Sequence, residues 1–147
     1  MADDYSALKL ENQLCFPLYA AAKEVVRRYR PFLDKLDLTY TQYITMMVLW
    51  EQKQISVKEL GEKLFLDSGT LTPLLKSLEQ KQFVSRHRSE KDERVLIVSI
   101  TESGEKLREK AIEVPQQMVS CIRLTREEAT TLYTLLHKLL DTVENEE

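Results

Sequence analysis

Glycine and proline are scarce, with 3 and 4 in a chain of 147 residues. That excludes a linker-rich protein and argues against an all-β one. The two cysteines are far apart and show no C-x-x-C spacing, so neither a disulfide framework nor a zinc site is indicated. The two histidines, His87 and His137, are too isolated to ligate a metal, and no cofactor is indicated. No apolar run approaches the ~20 residues a membrane-spanning helix needs. The first residues, MADDYSALKLENQ, lack the basic and apolar regions of a secretory leader. The expectation is a cytoplasmic protein with free thiols and no membrane partner. A net charge of −3 gives no global positive field.

What is present is helical patterning. Apolar residues recur at Leu10, Leu14, Leu18, Ala21 and Val25, which predicts an amphipathic helix from Leu8 to about Tyr29. Pro17 lies inside that span and predicts a bend near Gln13. Pro31 predicts its end or a second kink, followed by a short piece from Phe32 to Leu36. Thr41 to Glu51 reads as a buried helix. Ser56 with Glu59 makes a capping box for a short helix from Val57 to about Leu64, where Gly61 allows a close helix approach. The next helix carries Leu71, Leu74, Leu75 and Leu78. Asp67 or Ser68 is a candidate cap, and Thr72 before Pro73 is the better local one.

Phe83–Arg88 and Val95–Ile100 read as strands joined by a polar loop. A helix from Thr101 to about Val114 follows, then Pro115. A last helix, with Thr125 as cap and Glu128 at the third position, runs to about Val143. The fold class is mainly α with a small β-hairpin: a winged helix-turn-helix at about 41–101. It is flanked by N- and C-terminal helices, at about 8–36 and 102–144, within a single domain spanning 1–147. Those outer helices are too long for the small module and predict a homodimer.

The helix with Ser68, Gly69, Thr70, Thr72 and Lys76 suits a major-groove reader, with hydroxyls for phosphates and base edges and one ammonium for a phosphate. The hairpin adds Arg86, Arg88, Lys91, Asp92 and Arg94. From Lys76 to Arg94 there are six basic and four acidic residues, a local excess of about +2. An arginine at the hairpin tip suits a narrow A·T-rich minor groove, with Asp92 or Glu93 holding its guanidinium.

These residues carry a family resemblance. The segment LGEKLFLDSGTLTPLLKSLEQKQFVSRHRSEKDERVLIVSITESG, with D-E-R in the wing and then T-E-x-G, resembles the MarR-type winged-helix regulators. LDSGTLTPLLK, with QLC and Tyr19, Tyr29 and Tyr40, resembles their organic-hydroperoxide-sensing, OhrR-like branch. The resemblance implies a homodimeric repressor on double-stranded DNA with an A·T-rich inverted repeat. It also implies that the reader helix starts at the Asp-Ser before Gly69, and that boundary is preferred to Thr72.

Cys15 and Tyr19 share one helix face at i and i+4. Tyr29 is fourteen residues beyond Cys15, about 21 Å along a straight helix. Its reach is therefore to a partner's thiol across an antiparallel helix pair, with Tyr40 near the same place. Phenolic hydroxyls stabilise a thiolate, the species that attacks a hydroperoxide. Leu14, Phe16, Leu18 and Met46 or Met47 would favour an organic one. The resemblance suggests Cys121 as the thiol that traps the sulfenic acid. It also makes Pro17 unusual, and we expect Pro17 to leave the first helix ready to deform on oxidation. Two alternatives remain: a regulator gated by a small aromatic ligand, with Cys15 structural, and a thiol peroxidase. No base beside Cys15 supports the enzyme.

Overall fold

The computed structural model describes residues 4–144. They fall into two compact units, divided after Pro115. In the first, two short 3-10 turns, Tyr5–Leu8 and Leu10–Asn12, precede α1 (Cys15–Asp34) and α2 (Tyr40–Gln52). Then come β1 (Gln54–Ser56), α3 (Val57–Leu64), α4 (Ser68–Gln80), β2 (Val84–Arg88), β3 (Leu96–Ile100) and α5 (Glu102–Ala111). The helix α6 (Val114–Cys121) crosses the division, and α7 (Arg126–Glu144) lies in the second unit.

The first helix is the main departure from the sequence reading. The amphipathic pattern does begin at Leu8, but α1 starts only at Cys15. Upstream, the Gln13 side chain donates to the carbonyls of Ala7 and Lys9 at 2.7 and 2.8 Å. Asn12 donates to the Ser6 carbonyl at 2.7 Å. These local bonds compete with helix and hold the segment in turns. Pro17 thereby falls at the third position of α1, where its missing N–H has no intrahelical acceptor to lose. The expected bend near Gln13 is absent, and with it the basis for a proline-weakened helix. Pro31 does not end α1 either; the helix absorbs it and runs to Asp34.

Helix α2 starts with a reciprocal cap that the sequence reading overlooked. Thr39 Oγ1 accepts from the Gln42 N–H at 3.3 Å, and Gln42 Oε1 accepts from the Thr39 N–H at 3.1 Å. Lys81 donates to the same Gln42 oxygen at 3.1 Å and to the Asp37 carbonyl, tying the end of α4 to the α1–α2 turn. Ser56 caps α3 through the Glu59 N–H at 3.1 Å. The turn into α4 depends on Gly61: a β-carbon there would lie 2.7 Å from the Leu66 carbonyl oxygen and 3.0 Å from Leu71 Cδ1.

The sheet has order β1-β3-β2, all antiparallel. Its third strand, β1, was not expected. It pairs Gln54, Ile55 and Ser56 with Ser99, Val98 and Ile97. The hairpin register places Val84 opposite Ile100 and Arg86 opposite Val98. The core of this unit is Leu33, Met46, Leu49, Leu60, Leu71, Leu75, Leu78, Val84 and Val98, all buried. Thr101 and Gly104 of T-E-S-G close it. Thr101 caps α5 through the Gly104 N–H at 3.1 Å and donates to the Gln82 carbonyl at 2.6 Å. Trp50 donates to the Gly104 carbonyl at 2.8 Å. A β-carbon at Gly104 would collide with the Phe83 carbonyl. The helix expected to reach Val114 stops at Ala111, and α6 takes Val114 and Pro115 as its first two residues.

In the second unit, Thr125 and Glu128 make the expected reciprocal cap of α7, at 2.9 and 3.1 Å. Leu132, Leu135, Leu139, Leu140 and Val143 are exposed on that helix. No helix among the described residues is long and apolar enough to cross a membrane.

Candidate nucleic-acid interface and thiol site

The reader helix begins at Ser68, capped by Asp67, whose Oδ1 accepts from the Thr70 N–H at 2.7 Å. That bond holds the Asp67 carboxyl below its ordinary range. The alternative start at Thr72 is thus overturned, and Thr72 instead donates to the Ser68 carbonyl at 2.8 Å. Pro73 lies inside the helix, so the Gly69 carbonyl has no i+4 amide to accept from. Four leucines, at 71, 74, 75 and 78, fill the buried face. Ser68, Gly69, Thr70, Thr72 and Lys76 all lie on the exposed face. At Gly69 a β-carbon would meet only the Asp67 carboxylate, at 3.4 Å, so the outer side is open.

In the wing, Arg94 is fixed to Asp92 by a fork: Nε to Oδ1 at 3.1 Å and a terminal nitrogen to Oδ2 at 3.2 Å. The Arg94 backbone N–H adds a third bond at 3.0 Å. These bonds, led by the side-chain one, lower the Asp92 carboxyl. The Arg94 side chain remains 89% exposed. It is a guanidinium held in place while still facing solvent. Arg88 and Lys91 are also exposed.

Arg86 differs from its neighbours. Its side chain is only 21% exposed and pairs with Glu79 of α4 at 3.3 Å. Alternation along β2 puts Val84, Arg86 and Arg88 on one face, and Val84 is in the core. That alternation was the available signal that Arg86 turns inward.

Cys15 is exposed and is the first residue of α1. The N-cap residue, Leu14, provides no side-chain bond, so the first amides of α1 are free of one. Tyr19 lies one turn on, with the Lys23 ammonium 5.6 Å from its ring centre. Lys9, Leu10, Glu11, Gln13, Phe16 and Pro17 line an open surface depression of about 740 Å³ that does not include Cys15. The expected apolar pocket does not assemble within one chain. Leu14 is 85% exposed, Met46 is sealed in the core and Met47 faces out.

Tyr29 and Tyr40 meet at a ring separation of 4.9 Å, and Tyr43 joins them at 5.8 and 6.3 Å. Tyr43 was missed because it reads as one more apolar residue of a buried helix. Burial raises all three phenols, Tyr43 to about 12. Cys121 is half-buried and is the last residue of α6.

A helix-turn-helix, α3–α4, with an exposed polar reader face and an arginine-tipped hairpin defines a winged-helix DNA reader. Residues 27–111 match the family described as "Transcriptional regulator SarA/Rot". The chain belongs to this family of MarR-type winged-helix transcriptional regulators, which are DNA-binding proteins rather than enzymes. It is 46% identical over 143 residues to the organic hydroperoxide resistance transcriptional regulator of Bacillus subtilis (strain 168), covering 97% of each chain. It is 41% identical over 131 residues to the HTH-type transcriptional regulator SarZ of Staphylococcus aureus, covering 89% of this chain and 88% of that one. Among solved structures, reduced AbfR bound to DNA matches with a TM-score of 0.81, 32% identity and 96% of both chains. AbfR, from Staphylococcus epidermidis, has also been solved in disulfide-bonded form.

Proposed function

We propose that the chain is a redox-gated repressor: a homodimer that holds an A·T-rich inverted repeat and leaves it when an organic hydroperoxide oxidises Cys15. The observation that carries this reading is the placement of Cys15, exposed at the uncapped start of α1 with Tyr19 one turn away. Reactive cysteines are found in accessible sites of partial positive charge, such as a helix start. The names of the Bacillus relative and of the AbfR structures point to the same chemistry.

In the first step the Cys15 thiolate attacks the outer peroxide oxygen. A sulfur–oxygen bond forms and the oxygen–oxygen bond breaks. The leaving alkoxide takes a proton and departs as the alcohol, and Cys15 is left as a sulfenic acid. Cys121 of the partner subunit then condenses with it, giving a disulfide and water. Tyr29 stands about 21 Å along α1 from Cys15 of its own chain, and Tyr40 packs against Tyr29, so the pair would serve the other subunit's thiol.

Dimerisation is supported by the leucines that α7 leaves exposed. Two copies would present two α4 helices to successive major grooves. Ser68, Gly69, Thr70, Thr72 and Lys76 would face bases and phosphates, and Arg94 would enter the flanking minor groove with Arg88 and Lys91 on the backbone. Such a regulator works where the chromosome is, in the cytoplasm.

The test is fluorescence anisotropy on a labelled inverted-repeat promoter fragment. Peroxide should release the reduced protein, dithiothreitol should restore binding, and Cys15→Ser should bind without responding. A Cys15→Ser protein that still responds would overturn the thiol switch and favour a ligand-gated regulator.

A further inference from the structure

The salt bridge between Glu79 and Arg86 joins the two parts that read DNA. Glu79 lies in the last turn of α4, and Arg86 is the middle residue of β2. One Glu79 oxygen accepts from the Arg86 backbone N–H at 3.1 Å, and the other accepts from the guanidinium at 3.3 Å. The carboxylate therefore grips both the strand and the side chain. Arg86 Nε is buried and has no hydrogen-bond partner among the described residues. That nitrogen is closed off from solvent and so from a phosphate at the surface. Across the sheet it faces Val98, which is fully buried.

The location matters for the wing. β3 is flanked on one side by β1, which reaches only from Gln54 to Ser56. β2 is the outer edge, and the hairpin beyond Arg88 has no third strand. Glu79 anchors that outer edge to the reader helix. A free carboxylate on a reader helix would repel phosphate. Paired with Arg86, it does structural work instead.

We infer that Glu79 and Arg86 are positioning residues for DNA recognition: they set the angle of the wing against α4, so that Arg94 reaches the minor groove when α4 is in the major groove. Arg86 is then not a phosphate contact. This rests on the DNA-reading role proposed above for α4 and the wing.

The experiment is a double-mutant cycle on the operator fragment, with the reduced full-length protein and circular dichroism to confirm folding. Arg94→Ala should weaken binding by about tenfold in the otherwise unchanged protein, and by less than about threefold in a Glu79→Gln background. Glu79→Gln alone should weaken operator binding, although removing a negative charge near DNA would by itself strengthen it. Arg86→Lys serves as a second background, and the one to use if Glu79→Gln does not fold. It keeps the charge but loses the planar guanidinium that reaches Glu79, so it too should suppress the Arg94→Ala effect. An Arg94→Ala penalty that is equal in all backgrounds would overturn the inference and leave DNA binding intact. Failure of the unchanged protein to bind any inverted repeat would instead overturn the reading beneath it.

Discussion

The winged helix and the terminal helices treat their apolar residues in opposite ways. From α2 to α5, leucines point inward and are sealed: Leu49, Leu60, Leu71, Leu75 and Leu78 are all buried. Along the start of α1 and along α7, residues of the same type face out, among them Leu14, Phe16, Leu135 and Leu139. Exposed apolar stripes of this length mark an interaction surface. The reader thus carries its own core within one chain. The proposed sensing and dimer region would be completed only by a second chain.

Substitutions in the two regions should therefore fail differently. The largest effect is expected at Leu78, where truncation to alanine should lower the unfolding free energy by about 2–5 kcal/mol in urea titrations. Gly104→Ala should follow at about 1–3 kcal/mol, since the new methyl group presses on the Phe83 carbonyl. The tyrosine cluster adds a pH dependence. Its phenols hold their protons more tightly when folded, so the stability they contribute is complete below pH ~10 and is lost as pH rises towards about 12. Absorbance titration should show Tyr29, Tyr40 and Tyr43 ionising after the exposed tyrosines; simultaneous ionisation would contradict the cluster. The smallest effect on the chain is expected at Leu139, where alanine should change stability at low protein concentration by less than about 0.5 kcal/mol. Sedimentation should nevertheless show weaker self-association. A stability loss at Leu139 as large as that at Leu78 would erase the contrast.

The same contrast decides what could be read from the sequence. The reader was legible because its signals are local: four leucines at helical spacing, a β-branched strand and a cap at Ser56. The capping box of Thr39 and Gln42 was equally local and was simply passed over. β1 was not legible, because three residues carry no period and its pairing with β3 spans over forty residues of chain. Nor was the Glu79–Arg86 pair, in which partners on different elements leave no spacing to recognise. At the N-terminus, periodicity pointed to one long helix, and the side chains of Asn12 and Gln13 overrode it by binding carbonyls upstream. The tyrosine cluster was half legible: Tyr29 and Tyr40 stood out, while Tyr43 was hidden within a uniformly apolar helix.

The bare first turn of α1 has a consequence for the oxidised protein. Cys15 occupies a helix-start position that lacks a side-chain acceptor and whose backbone carries partial positive charge. Sulfinate or sulfonate is an oxygen acceptor with negative charge, which is what such a position favours. Such an oxidised group would place negative charge at the start of α1, one residue inside its N-cap Leu14. In the switch proposed above, a charge so placed would favour the first turn of α1, so over-oxidation of Cys15 would leave that helix folded.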